Sequence, residues 1–137
     1  MSQQPSITEE QKQQLIAIAR QALVNAYAPY SQFRVGAALL TEQGNIYSGC
    51  NVENVSYGLS MCAERNAIAT AVAAEGGEKM KIKAIAVAND RSISCSPCGA
   101  CRQVINEFGD KSVVIFWQDR AWQTKSAIEL LPTKFSF

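Results

Sequence analysis

Near the start of the chain the apolar positions Leu15, Ile18, Ala19, Ala22, Leu23 and Ala26 recur at helical spacing on one face. Thr8, followed three residues later by Gln11, supplies a capping box for this helix. Ala28-Pro29-Tyr30-Ser31 closes it with a turn. The period then changes. Arg34 to Thr41 reads as a strand, and Gln43-Gly44-Asn45 is the turn of a hairpin whose second strand is Ile46–Cys50. An alanine-rich stretch from about Met61 to Glu75 predicts a second helix, stopped by Gly76-Gly77. Beyond it, the nearly continuous apolar run Ile82–Ala88 suits a buried strand, and Cys98–Phe108 a helix ended by Gly109. The β-branched Ser112–Trp117 is a fourth strand, the segment around Trp122 a fifth, and Ser126–Leu131 a short helix stopped by Pro132.

A hairpin followed by helix–strand alternation predicts an α/β fold, a three-layer α/β/α sandwich around a mixed five-stranded sheet. Crossovers through the helices at 61–75 and 98–108 make strands 82–88 and 112–117 parallel partners. The 137 residues suit a single domain, 1–137, since domains commonly run about 100–150 residues.

Composition narrows what such a domain does. At 47% hydrophobic residues the chain is too apolar to be disordered. Thirteen Lys+Arg against twelve Asp+Glu leave a net charge of +1, which carries no signal for nucleic acid or an anionic membrane. Apolar stretches such as Val35 to Leu40 fall far short of the roughly 20 residues of a membrane span. Met1 to Pro5 has neither the basic start nor the apolar run of a secretory signal. A soluble cytoplasmic protein is the expectation.

Five cysteines and no histidine are the informative counts. An odd number of thiols without a signal sequence argues against a disulfide scaffold. Without imidazole, Ser-His-Asp and Cys-His catalysis drop out, so acid–base work falls to carboxylates and a transition-metal site must rest on thiolates. Two groups stand out, Cys62-Ala63-Glu64 and Pro97-Cys98-Gly99-Ala100-Cys101. Cys98 and Cys101, three residues apart at a helix start, share a face and can share a metal. Helix N-termini favour thiolate over thiol, with Ser60 and Ser96 as expected caps for the two helices. Three thiolates fill three of the four tetrahedral positions of Zn²⁺, and the open fourth is the mark of a catalytic site. Glu64 at the helix entrance is placed to shuttle protons there. Three thiolates on Zn²⁺ leave a formal negative charge, which Arg65 and Arg102, each following a site residue, are placed to offset. Against this stand plainer alternatives: a Cys-x-x-Cys redox pair, or cysteines as small buried hydrophobes, the assignment given to Cys50 and Cys95.

Cys-x-Glu followed by Pro-Cys-x-x-Cys matches the zinc deaminase pattern, with Cys in place of the first His. Over nearly its whole length the chain resembles the small three-cysteine, homotetrameric cytidine deaminases. The likeness runs through Tyr27 to Leu39, Gly49 to Asn54, Cys62 to Arg65, Ser96 to Gln103 and Glu129 to Pro132. The resemblance implies a five-stranded sheet between helices, one Zn²⁺ per chain, and hydrolysis of cytidine and 2′-deoxycytidine to uridine and 2′-deoxyuridine in pyrimidine salvage. It makes Cys62, Cys98 and Cys101 the zinc ligands and Glu64 the proton shuttle. Asn51 and Glu53 then bind the ribose hydroxyls, Phe33 stacks on the pyrimidine, and backbone near Ala63 reads the base edge. Neighbouring subunits complete each pocket, with Phe135 matching the C-terminal aromatic involved.

Three other functions compete. A blasticidin-S deaminase shares the zinc motif, but Glu53 within Asn-Val-Glu-Asn favours a ribose. A nucleic-acid editing enzyme needs a basic channel that a chain of net charge +1 does not announce. A non-catalytic zinc module requires a fourth protein ligand, for which Cys50, Cys95 or a carboxylate are the candidates.

Overall fold

A computed structural model describes residues 7–135; the sequence expectation for residues 1–5 lies outside the described residues. The elements run α1 (Glu9–Leu23), β1 (Val35–Thr41), β2 (Ile46–Cys50), α2 (Ala63–Glu75), β3 (Ile82–Asn89), α3 (Gly99–Gly109), β4 (Val113–Gln118), β5 (Ala121–Ser126) and α4 (Ala127–Leu130). The sheet order is β2-β1-β3-β4-β5. Within this sheet β3 and β4 pair in parallel, as their helical crossover requires, and the other strand pairs are antiparallel.

Local signals account for most boundaries. The Thr8 hydroxyl accepts from Gln11 N at 3.0 Å while Gln11 Oε1 accepts from Thr8 N at 3.0 Å, so the capping box forms. A second capping box links Ser126 and Glu129 at the start of α4. Gly76, at φ +97°, ends α2. Three details differ from the sequence pattern. First, α1 ends at Leu23, so Ala26 and the turn at 28–31 lie beyond it. Ile16 is buried with Leu15 and Ala19, whereas Ile18 is only half-buried; Ile16 lies three residues before Ala19, so the buried face of α1 is rotated toward it. Gly109 is the last residue of α3, with Asp110 as its cap, rather than the residue that stops it.

The strands alternate between two apolar clusters. Ala38, Leu40, Ala84, Ala86, Ala88, Val113 and Ile115 pack with Leu15, Ile16 and Ala19 of α1. Val35, Ala37, Leu39, Ile85, Val87, Val114 and Phe116 pack with Ala67, Ile68 and Ala71 of α2 and Ile105 of α3. These are the three layers expected from the element order. Small residues let the helices press close. A Cβ on Gly36 would lie 1.9 Å from the Ala19 carbonyl oxygen of α1, and one on Gly49 2.5 Å from Ala67 N of α2. The second contact fixes α2 across β2 and sets where its N-terminus opens.

Candidate active site

The N-termini of α2 and α3 meet beyond the strand ends, where α/β folds place their ligands. Cys62 is the N-cap residue of α2 and Cys98 that of α3, with buried Cys101 in the first turn of α3. Neither helix start has a side-chain cap hydrogen bond. The expected caps are therefore corrected: Ser60 Oγ accepts from Asn54 N, and Ser96 Oγ accepts from Arg102 Nη2. With no oxygen cap, the first-turn N–H groups are left to act on the sulfurs.

The Sγ atoms of Cys62, Cys98 and Cys101 all lie within 4.8 Å of one another, with 3.9 Å between those of Cys62 and Cys98. A tetrahedral Zn²⁺ with Zn–S bonds of about 2.3 Å holds its sulfurs about 3.8 Å apart, so the donor set fits this ion. Among the described residues no fourth Cys or carboxylate joins the cluster, Cys50 and Cys95 included.

The charges around the sulfurs are arranged unevenly. Hydrogen bonds from Cys101 and from Arg65 hold the Cys62 thiol well below the ordinary range, while its role as donor and its burial push Cys101 up. Arg65 Nη2 lies 3.5 Å from Cys62 Sγ. Arg102 faces elsewhere: Nε donates to Pro97 O at 2.7 Å, Nη1 to Leu130 O at 2.9 Å and Nη2 to Ser96 Oγ at 2.9 Å. Its guanidinium ties the loop before α3 to α4 instead of reaching the sulfurs. Glu64 is 4% exposed, and burial, reinforced by the charge of Cys62, pushes its carboxyl up to about 7.

A cavity of about 310 Å³ opens on this cluster. Cys62, Ala63, Glu64 and Cys98 line it together with Phe33, Asn51 and Glu53. Asn51 and Glu53 alternate with Val52 on an extended segment, so both face one way. That segment is pinned on each side: Tyr27 N donates to Asn51 O, Glu53 N to Tyr27 O, and Val52 exchanges two backbone bonds with Met61. Asn51 Oδ1 accepts from Val35 N and its Nδ2 donates to Phe33 O, both at 2.9 Å. Glu53 Oε1 accepts from Tyr30 N and Ser31 N, and the Ser31 hydroxyl donates to Oε2. The Ser31 hydroxyl above all holds the Glu53 carboxyl below its ordinary range.

Phe135 stands apart, lining a different depression with Lys81, Phe108 and Asp110. Cys95 and Ser96, by contrast, line the cavity beside the sulfurs. Burial pushes the Cys95 thiol up, which keeps it protonated. The sequence pattern left Cys95 aside, and its one signal was a second Cys-x-x-Cys spacing, Cys95 to Cys98. Ser31 was also unassigned, and only the tertiary contact with Glu53 brings it to the cavity.

Residues 9–117 match the family described as cytidine and deoxycytidylate deaminase, zinc-binding region. A probable cytidine deaminase of Dictyostelium discoideum is 47% identical over 131 residues, 95% of this chain and 87% of the relative. The cytidine deaminase of Sporosarcina psychrophila is 45% identical over 126 residues, 90% of each chain. Among solved structures, cytidine deaminase from Burkholderia pseudomallei superposes with a TM-score of 0.81 at 45% identity, covering 94% of this chain and 100% of that one. The enzyme from Mycobacterium tuberculosis does so with a TM-score of 0.81 at 37% identity, covering 92% and 98%.

Proposed function

Because the chain belongs to the cytidine and deoxycytidylate deaminase family, we propose that it hydrolyses cytidine and 2′-deoxycytidine to uridine and 2′-deoxyuridine, releasing ammonia in pyrimidine salvage. The observation that carries this is one cavity that opens on a three-sulfur cluster and is lined by a buried carboxyl, an amide and a second carboxylate. Ultraviolet absorbance with cytidine, deoxycytidine, CMP and blasticidin S, beside a zinc count, tests it. Loss of the cytosine chromophore with the first two nucleosides and one zinc per chain is the expected result. Turnover confined to blasticidin S, or none with any of the four, would sink it.

Cys62, Cys98 and Cys101 hold the zinc. When bound, that ion supplies Lewis-acid activation of a water. Everything else falls to side chains of the cavity. Glu64 takes a proton from the attacking water and delivers it to N3 as the oxygen bonds to C4 of the ring. It then takes the remaining proton from the C4 hydroxyl and passes it to the amino group, which leaves as ammonia while the C4 carbonyl forms. A carboxyl whose proton affinity is raised by burial suits both directions of transfer. Backbone at Ala63 and the Glu64 carboxyl read the base edge, and Phe33 stacks on the ring. Asn51 and Glu53 take the sugar hydroxyls: an amide donates and accepts, while a carboxylate accepts.

Arg65 offsets the thiolate charge. Arg65→Gln therefore lowers zinc affinity or turnover about 10- to 100-fold, the range seen when a hydrogen bond to a metal ligand is lost. Metal titration and steady-state rates read this, and a variant with unchanged zinc content and rate refutes the role.

The catalytic domain spans 1–137, and among the described residues no helix is long and apolar enough to cross a membrane. A cytoplasmic homotetramer with shared pockets is the assembly we assign, Phe135 entering from a neighbouring subunit. Its support is the set of exposed apolar side chains Val52, Val55, Tyr57 and Leu59, in the stretch of chain between the cavity-lining Asn51 and Met61.

A further inference from the structure

We propose that Arg91 is a positioning residue that fixes the aromatic wall of the pocket, an assignment that rests on Phe33 being the face against which the pyrimidine stacks. Arg91 does not line the cavity, whereas Phe33 does. Its guanidinium carbon lies 5.7 Å from the centre of the Phe33 ring, within cation–π range, and its Nη2 donates to Gln32 O at 2.9 Å. Gln32 has φ +56°, a left-handed conformation that a non-glycine residue keeps only when its surroundings enforce it. The arginine thus grips both the ring and the turn that presents it.

Arg91 is itself held rather than loosely draped. Asn89 Oδ1 accepts from Arg91 N and Ile93 N, and Asn89 Nδ2 donates to Ile93 O. Next to it, Asp90 N donates to Arg34 O and Asp90 Oδ1 accepts from Arg34 N. Two loops distant in sequence are stitched together at Gln32 and Arg34, the residues before and after Phe33. Among the described residues Arg91 makes no ion pair, so its charge is available to the ring.

The experiment is a kinetic cycle on the zinc-loaded enzyme with Arg91→Ala, Arg91→Lys, Phe33→Leu and the double variant Arg91→Ala/Phe33→Leu. Arg91→Ala is expected to raise KM for cytidine about tenfold, the size of one cation–π contact and one hydrogen bond together. The inhibition constant of uridine rises by the same factor, with kcat within about twofold. Arg91→Lys falls between, and in the Phe33→Leu background Arg91→Ala adds nothing. If Phe33→Leu raises KM but Arg91→Ala does not, Arg91 has no such role and Phe33 keeps its own. If Phe33→Leu leaves KM unchanged, the stacking wall itself is wrong and the proposal falls with it. A parallel loss of kcat and thermal stability, unrelieved by lysine, marks a merely structural arginine and likewise overturns the proposal.

Discussion

Glu64→Ala is expected to retain one zinc per chain and to lose turnover by about 10⁴-fold, because in the mechanism we propose one carboxyl serves every proton transfer of the cycle. The two halves of this result have separate causes. Glu64 lies outside the sulfur cluster, so removing it leaves the three donors in place. Among the described residues Glu53 is the other carboxylate lining the cavity, and both its oxygens accept hydrogen bonds from the loop at Tyr30 and Ser31. Glu64→Gln, which keeps the volume of a side chain only 4% exposed, should behave alike. Metal analysis and single-turnover rates on both variants check this, and a Gln variant that deaminates at the wild-type rate would end the assignment.

Removing the metal is the second large effect. A chelator should abolish activity, one equivalent of Zn²⁺ per chain should restore it, and Cys98→Ser should bind too weakly to be rescued. Cys98 is exposed, so this substitution tests metal retention with little disturbance of the core. Zinc at a thousandfold excess over its dissociation constant adds about 4 kcal/mol to folding stability. Its loss lowers the unfolding midpoint of a domain this size by about 10 °C or more. The metal-free protein also carries a pH signature of Glu64. Its carboxyl sits at about 7 in the fold against an ordinary 4.5, so the native state binds the extra proton between those values. Relative to Glu64→Gln, the wild type therefore loses stability as pH rises from 4.5 to about 7, and the difference levels off above that. Calorimetry across that range measures it; a flat difference contradicts the burial that raises the carboxyl.

What could be read from sequence follows the range of the interactions. Thr8 and Gln11 meet within one helical turn, and Cys98 and Cys101 are three residues apart, so spacing alone foretold both pairs. The parallel pairing of β3 and β4 followed from the helical crossover that joins them. The caps were misplaced because serine is the commoner cap, whereas here the cysteines themselves occupy the cap positions, their sulfurs making no cap hydrogen bond. Arg102 followed a site residue in sequence, but at a helix start the next residue points away, and it reaches Leu130, 28 residues on. Arg91 and Phe33, Ser31 and Glu53 are contacts between separate loops, and no local pattern announces them.

The anchoring of Asn51 and Glu53 bears on how a nucleoside is received. Their side chains already hold backbone groups of the neighbouring loops, so the sugar pocket we propose is ordered before anything enters it. Rotamer entropy at both residues is lost during folding, and docking does not have to surrender it again. The same rigidity limits what the pocket admits: losing a hydroxyl, as from ribose to 2′-deoxyribose, needs no extra room, whereas a sugar carrying a bulkier substituent meets fixed atoms that cannot turn aside.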